Sequence, residues 1–546
     1  MMPESKVGED GQPMKPSIEF KNVEHSEKVP MVIYVDFESY LPKTEGCEND
    51  PEKASTSVFQ HHKPISYGFY VVSTLPSEIM EGIPLDYQTF EGKNAAAEFL
   101  NALEDISRKV KKIYEKKEPM NLTRDEWRGF HNADVCYLCK VKFTKKDSKV
   151  RDHCHITSEY RGAAQNSCNL RAQNPNFIPV FAHNMSGYDS KYIINQLGNS
   201  PGNVNVVPTT EEKFISFSKK PEEGVTLLFL DSLRFMSSSL DSLVKNLPKE
   251  KMMHLMKMFP DDQEWELMTR KGVSCYDYLD KLKETCLPPK KEFRNKLTDK
   301  DISDEDYQHA KNVWNTFKCK NLGEYLAIYL KADVALLTDV FEEFRAVCLR
   351  AYELDPCWYY TAPSLAWDAA LKYTRVKLDL IQDQDIIEMV ERGIRGGVAQ
   401  CSKRYAEARN QYTIANHKPE NGSNYIAYLD ANNLYGWAMS HALPTGNFVY
   451  TKLDTEVENF QFEKLLAMKK DDPRGCIFEV DMEYPGHLHD IHSDFPFLPQ
   501  NQVPPGGKHP KQITTLDHKE HYVIHYLALQ QAIKHGLKLE KVHSVL

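Results

Sequence analysis

The sequence predicts a multidomain chain that mixes α/β and α+β architecture, on three observations. It has 546 residues, enough for roughly three or four domains of ordinary size. Apolar runs of strand length alternate with a long amphipathic helical pattern through its first half. Hydrophobic residues make up 41% of it and aromatic residues 11%, enough for real cores.

The elements follow in order. Residues 1–28 are polar and charged, with Pro and Gly, and predict a flexible tail. VPMVIYVDFESY (29–40) is a continuous apolar run, the mark of a core strand covered on both faces. PISYGFYVVS (64–73) is its candidate neighbour. In 95–117, Phe99, Leu103, Ile106, Val110 and Ile113 recur at helical spacing opposite a charged face. A loop-rich Cys/His stretch (128–176) interrupts the pattern, and strands resume at FIPVFAHN (177–184) and VTLLFLDS (225–232). A helix is expected from Asp189, and 303–350 is helix-rich. DPCWYYTAPSLAW (355–367) has the composition of a domain junction, and YIAYLD (425–430) reads as a buried strand around Ile426 and Leu429. The domains expected are thus 29–350, carrying the 128–176 insertion, and 351–546.

The net charge of −10 does not by itself announce a nucleic-acid binder, although an acidic site beside a basic groove would be hidden in the sum. Twelve cysteines without a secretory signal near Met1 point to a reducing intracellular compartment. Eight of them, Cys47 included, are isolated; four cluster between 136 and 168. No apolar run approaches the roughly 18 residues of a membrane span, so no membrane partner is expected.

Three groups of residues carry candidate chemistry. Asp36 and Glu38 lie two apart near the end of an apolar strand, so both carboxylates can share one face. Acids this close repel unless a cation lies between them, and a divalent metal is the usual solution. Asp189 follows the Gly turn of FAHNMSGYDSKYI (181–193), after Asn184. In YLKADVALL (329–337), Tyr329 and Asp333 stand four apart and share a helix face. In this order the residues resemble the proofreading 3′–5′ exonuclease of family B DNA polymerases, the four-acid type with a tyrosine. That resemblance implies a ribonuclease H-like exonuclease domain. Asp36, Glu38, Asp189 and Asp333 would hold two Mg²⁺ ions, which activate water and stabilise the leaving 3′ oxygen. Tyr329 would orient the water, and Asn184 would contact DNA.

The second group begins at DANNLYG (430–436), which resembles the first palm motif of the same family, usually D-x-x-S-L-Y-P. Asp430 would bind metal in the nucleotide site, with Leu434 and Tyr435 beside the sugar; Asn433 and Gly436 stand for the usual serine and proline. GIRGGVAQCSKRY (393–405) resembles the Y-x-G-G linker between the exonuclease and polymerase sites, giving Arg395, Gly396 and Gly397 as DNA-binding candidates, with Ile394 in the tyrosine's place. The closest branch is that of protein-primed polymerases of phages, linear plasmids and Polinton/Maverick-type mobile elements. Primer–template DNA, dNTPs and a terminal priming protein are the partners implied. The two later palm motifs of that branch do not occur, and no D-x-D acid pair sits on an apolar strand after 450. The expectation is an incomplete palm, a fragment or truncated chain whose second carboxylate lies beyond Leu546. It would retain the exonuclease without extending a primer alone.

The third group is CYLC (136–139) with VRDHCHITSEYRGAAQNSCNL (150–170). It resembles the ββα-metal unit of recombination endonuclease VII, a known insertion in mobile-element polymerases. Asp152, His153, His155 and Asn169 match its nuclease centre, and Cys136, Cys139 and Cys168 its Zn²⁺ ligands. Gln165 stands where the fourth ligand belongs, leaving Cys154 or a histidine to complete the set. A structural zinc knuckle, a degraded site and an active endonuclease remain open. For the whole chain, a non-catalytic relic that binds DNA or a partner and a stand-alone nuclease are the competing functions.

Overall fold

The computed structural model describes residues 3, 6–7, 13–40, 61–145, 148–210, 213–275, 278, 281–294, 300–456, 464 and 467–546; Cys47 and part of the expected tail lie outside them. The chain divides into two compact units, one of residues 20–375 and one of residues 1–19 with 376–546. The division falls after Arg375, where the sequence suggested 350, because helix Ala362–Thr374 packs against the preceding long helix.

In the first unit the strands are β1 (Met31–Tyr40), β2 (Lys63–Ser73), β3 (Gln88–Glu91), β4 (Lys149–His153), β5 (Tyr160–Gln165), β6 (Phe177–Ala182), β7 (Gly202–Pro208), β8 (Phe214–Pro221) and β9 (Thr226–Asp231). Seven of them form one sheet in the order β7-β8-β9-β6-β1-β2-β3. Its centre is parallel, β9 to β6 and β6 to β1, and the other pairs are antiparallel. β4 and β5 form a separate hairpin, the body of the Cys/His insertion.

Helices α1 (Ala95–Tyr114) and α5 (Leu322–Tyr352) cover opposite faces of the sheet, with α2 (Arg124–Asn132), α3 (Ser190–Ile194) and α4 (Asp304–Thr316) between them in sequence. This explains the unbroken apolar run of β1. Ile33, Val35 and Phe37 pack with Phe99, Leu103 and Ile106 of α1, whereas Val32 and Tyr34 face the core built on α5. Asp36 and Glu38 share the parity of Tyr34, so strand alternation delivers both carboxylates to the α5 side. Arg345 of α5 is fully buried, donates through Nε to Asp355 Oδ1 at 2.8 Å and through Nη2 to the Val29 carbonyl at 2.5 Å, and so ties α5 to the start of β1.

The second unit holds α6 (Gln384–Gly393), α7 (Leu434–Met439), α8 (Tyr526–Lys534) and a sheet of β10 (Thr451–Glu456), β11 (Ile477–Glu483), β12 (Lys519–His525) and β13 (Lys538–Val545), ordered β10-β13-β11-β12. Phe478, Val480 and Met482 point into its core with Leu529 and Ala532 of α8. Two expectations are corrected here. Within the expected tail, Ser17–Ile18 pairs with Leu378–Asp379, and Val23 is buried, since apolar side chains interrupt the polar composition. YIAYLD forms no strand: 425–430 is irregular and Leu429 is 89% exposed, so its apolar residues find no sheet to join.

Candidate active site

Four carboxylates from three elements converge under α5. Asp36 and Glu38 come from β1, Asp189 from the residue that opens α3, and Asp333 from α5 itself, where Tyr329 lies one turn earlier. Glu38, Asp189, Tyr329 and Asp333 are all buried. Burial, then the charge of Asp333, raises the Asp36 carboxyl to about 7, against an opposing pull from Lys271. Burial and the neighbouring charges of Asp36 and Asp333 drive Glu38 well up; burial, Asp36 and Asp231 do the same for Asp189. These are acids that destabilise one another without a cation. One oxygen of Asp333, Oδ1, is buried without a hydrogen-bond partner. A carboxylate set of this kind, with an orphaned oxygen, has the donor chemistry of a Mg²⁺ site.

Lys271 is the residue that the motifs did not reveal. Its ammonium is ion-paired with Asp333 Oδ2, donates to the Tyr329 hydroxyl at 2.9 Å and lies 4.8 Å from the centre of that ring. The next residue must be small: a Cβ on Gly272 would stand 2.7 Å from Tyr329 Cδ2. A Lys-Gly pair in an irregular segment was the available signal, and only tertiary structure brings it to the acids. Tyr87 was also missed. It lies over Gly68, where a Cβ would meet its hydroxyl at 2.2 Å, and Gly68 pairs in register with Asp36. Burial raises the Tyr87 phenol, with further contributions from Asp36, Glu38 and Asp333.

The turn that presents Asp189 is pinned from beneath. Asp231, at the end of β9, accepts the Ser186 amide at 3.0 Å and the Ser186 hydroxyl at 2.5 Å. Asn184 adopts a left-handed φ of 62°, and its Oδ1 sits where a Cβ on Gly187 would be only 2.5 Å away. Gly187 is therefore required by close approach. Asp189 makes no side-chain capping bond on α3, which leaves its carboxylate to the site.

In the insertion, the Sγ atoms of Cys136, Cys139 and Cys168 lie within 4.8 Å of one another, the one such group of three or more metal-ligating side chains among the described residues. The four acids are not so tightly gathered, in keeping with their repulsion and with Lys271 drawn among them. Gln165 Oε1 lies 3.8 Å from Cys139 Sγ and 4.0 Å from Cys168 Sγ, and the Gln165 amide donates to Cys136 Sγ at 3.3 Å. Burial, aided by its neighbouring thiols, pushes Cys139 up to about 12. Although burial opposes it, backbone donors from residues 139, 165 and 138 hold the Cys136 thiol below its usual range. Cys154 is not the fourth member of the group: it packs against the core beneath α1. Asp152 is buried, bonded to the Tyr137 hydroxyl and 3.9 Å from Arg161 Nη1. The His153 and His155 rings lie 4.6 Å apart, tilted by 33°, at the strand end, and Asn169 closes a one-turn helix after β5. A strand–strand–helix order is present, but Asp152 is spent on an internal ion pair.

The second unit does not assemble its candidates into one site. Asp430 is exposed, and so are Leu434 and, at 86%, Tyr435. The Asn433 side chain caps α7 by accepting from the Gly436 amide at 3.1 Å. Arg395 donates to the Val523 carbonyl at 2.7 Å and stacks 3.9 Å over the Tyr522 ring, so its guanidinium is committed to β12. Gly396 exchanges two hydrogen bonds with the Gln512 amide group, at 3.0 and 2.7 Å, whereas a Cβ on Gly397 would meet open space. No D-x-D pair stands after residue 450, but an E-x-D pair, Glu479 and Asp481, lies on the apolar strand β11. Despite burial, hydrogen bonds from Arg392, Ser544 and His521 hold Glu479 at about 2, and Asp481 lies 2.8 Å from His543 Nε2.

Comparison with known proteins bears on residues 171–540, which match the family model described as DNA polymerase type B, organellar and viral. No curated protein matches the chain. Among solved structures, it is similar to Phi29 DNA polymerase complexed with primer-template DNA and incoming nucleotide substrates, at 12% identity and a TM-score of 0.40, over 95% of this chain and 61% of that one. The same polymerase with primer-template DNA in the post-translocation binary complex matches at 11% identity and a TM-score of 0.41, over 94% and 60% of the two chains. Its complex with single-stranded DNA matches at 11% and 0.40, over 94% and 60%. The chain thus spans about three fifths of the length of these structures.

Proposed function

Given that this chain belongs to the organellar and viral type B DNA polymerase family, we propose that it serves protein-primed DNA synthesis and that its residues 20–375 are a ribonuclease H-like 3′–5′ exonuclease. The observation that carries the reading is the convergence of Asp36, Glu38, Asp189 and Asp333 from three elements, buried and mutually repelling, beside Tyr329 and Lys271. Mg²⁺ held by these four carboxylates would supply Lewis-acid activation of water and charge stabilisation. The chain's own groups do the rest. Tyr329, fixed by Lys271 and by the absence of a side chain at Gly272, presents its hydroxyl to the site and orients water. Lys271 brings a fixed positive charge to where a phosphate's charge develops during cleavage.

Asp430 and Tyr435 are proposed to belong to the polymerase site, acting on primer–template DNA and dNTPs with a terminal protein as primer. Glu479 is bonded to Arg392 and His521, and Asp481 lies against His543, which leaves the motif with Asp430; one carboxylate cannot hold two divalent ions against their repulsion, so this chain alone is proposed not to extend a primer. The insertion is proposed to hold one Zn²⁺ through Cys136, Cys139 and Cys168. Three converging thiols favour this structural role, and the commitment of Asp152 to Tyr137 and Arg161 weighs against an active endonuclease.

The test is direct. The purified chain with Mg²⁺ should shorten a 5′-labelled single strand from its 3′ end, and Asp36→Ala with Glu38→Ala should abolish the ladder. Undiminished shortening by the double variant would remove these acids from the site.

A further inference from the structure

A cavity of about 730 Å³ opens beside the carboxylate site, lined by Tyr40, Ile65, Gly92, Lys93, Leu282 and Lys283, with Glu91, Lys281, Glu284 and Thr285 completing the rim. Its position follows from β1. Tyr40 has the parity of Asp36 and Glu38, and at about 3.3 Å per residue it stands about 7 Å beyond Glu38 and about 13 Å beyond Asp36. Steps of that length match the spacing of successive phosphates in an extended single strand.

The walls are fixed. The Gly92 amide donates to the Ile65 carbonyl at 2.7 Å, which holds the 91–93 segment against β2. The Gly323 and Leu322 amides at the start of α5 donate to the carbonyls of Leu282 and Glu284, both at 2.9 Å. The lining is an apolar floor of Tyr40, Ile65 and Leu282 beneath a rim of three lysines and two glutamates. Among the described residues, Lys93 and Lys283 make no ion pair. Aromatic floor and cationic rim together are what a nucleic-acid strand without base pairing requires: a face for the base and charges for the phosphates.

We propose that this cavity holds the nucleotides of a single DNA strand immediately 5′ of the scissile phosphate, their bases against Tyr40 and Leu282 and their phosphates on Lys93 and Lys283. The proposal rests on the exonuclease reading of the adjoining acids. The cavity's volume exceeds the need of one terminal nucleotide, and its open mouth lets the strand continue outward.

Two substrates separate the pocket from the chemistry. The p-nitrophenyl ester of thymidine 5′-monophosphate offers only the terminal nucleotide, with nitrophenolate in place of the upstream strand; a 5′-fluorescein oligothymidylate offers both. In Lys93→Ala with Lys283→Ala, the KM for the oligonucleotide should rise roughly tenfold, and the log–log salt slope of binding should shrink by about 1.4, two phosphate contacts at about 0.7 each for a single strand. Hydrolysis of the ester should stay within about twofold of wild type, which also shows that the variant is folded. Equal loss on both substrates, or no loss on either, would overturn the assignment. Wild-type protein inert on both substrates would refute the exonuclease. Anisotropy with the same oligonucleotide would then decide the pocket alone: weaker binding and a smaller salt slope in the variant sustain it, and unchanged binding removes it.

Discussion

Asp36→Asn should stabilise the metal-free protein while abolishing exonuclease activity. Burial and the charge of Asp333 raise the Asp36 carboxyl from 3.8 to about 7. A carboxyl raised in the folded state contributes stability that is fully present below the unfolded value, near 3.8, and is lost as pH climbs through the folded value, near 7. The difference of about three units corresponds to about 4 kcal/mol lost in wild type above neutrality, at about 1.36 kcal/mol per unit. Asparagine keeps the shape and has no proton to lose. In EDTA at pH about 8.5, the variant should therefore melt above wild type by roughly 4–8 °C, taking about 1–2 °C per kcal/mol for a unit of this size. At pH about 5 the gap should fall below half, because wild type then still holds most of its proton there. Added Mg²⁺ should close most of this gap, since a ligand that binds only the folded state stabilises wild type by about 2.7 kcal/mol at 100 times its Kd, against the roughly 4 kcal/mol that separates the two. Differential scanning fluorimetry over pH and metal measures all of this. A variant that melts below wild type in EDTA at high pH would refute the argument, as would a gap that does not change with pH.

Two other outcomes follow from buried groups. Zinc should be found at about one per chain and lost in Cys136→Ser with Cys139→Ser, and Gln165→Cys should complete a four-sulfur set and slow zinc release to a chelator by more than about tenfold; wild type and Gln165→Cys that are both metal-free would remove the site. Arg345→Met should cost about 3–5 kcal/mol in chemical unfolding, because it leaves Asp355 buried without its cation, and a loss below about 1 kcal/mol would mean that water reaches Asp355.

Four of the site residues were legible because their positions follow from local periodicity. Alternation along β1 puts Asp36 and Glu38 on one face, and the helical repeat of α5 puts Tyr329 and Asp333 on one stripe. Lys271 and Tyr87 obey no such rule. Each sits in an irregular segment and reaches the acids only because Gly272 and Gly68 leave room for an aromatic ring. The strand expected at 425–430 failed for the converse reason. Apolar residues there satisfied a local pattern, but a strand exists only where a neighbour accepts its hydrogen bonds, and Tyr428, Leu429 and Tyr435 stay exposed.

The two candidate metal centres differ in what the surrounding protein does with the charge. At the acids, Lys271 pairs with Asp333 and offsets part of the repulsion, yet Asp36, Glu38 and Asp189 all retain raised affinity for protons. A bound divalent cation would replace those protons, so metal uptake there should release protons at neutral pH. At the thiols, Gln165 brings a neutral carboxamide instead of a fourth sulfur. Three thiolates on Zn²⁺ leave a net charge of −1 where four would leave −2, which is less costly in a half-buried knuckle, while an oxygen donor binds zinc more weakly than a thiolate. The substitution therefore lowers affinity without requiring the site to be lost, and that balance is what replacement of Gln165 by cysteine measures.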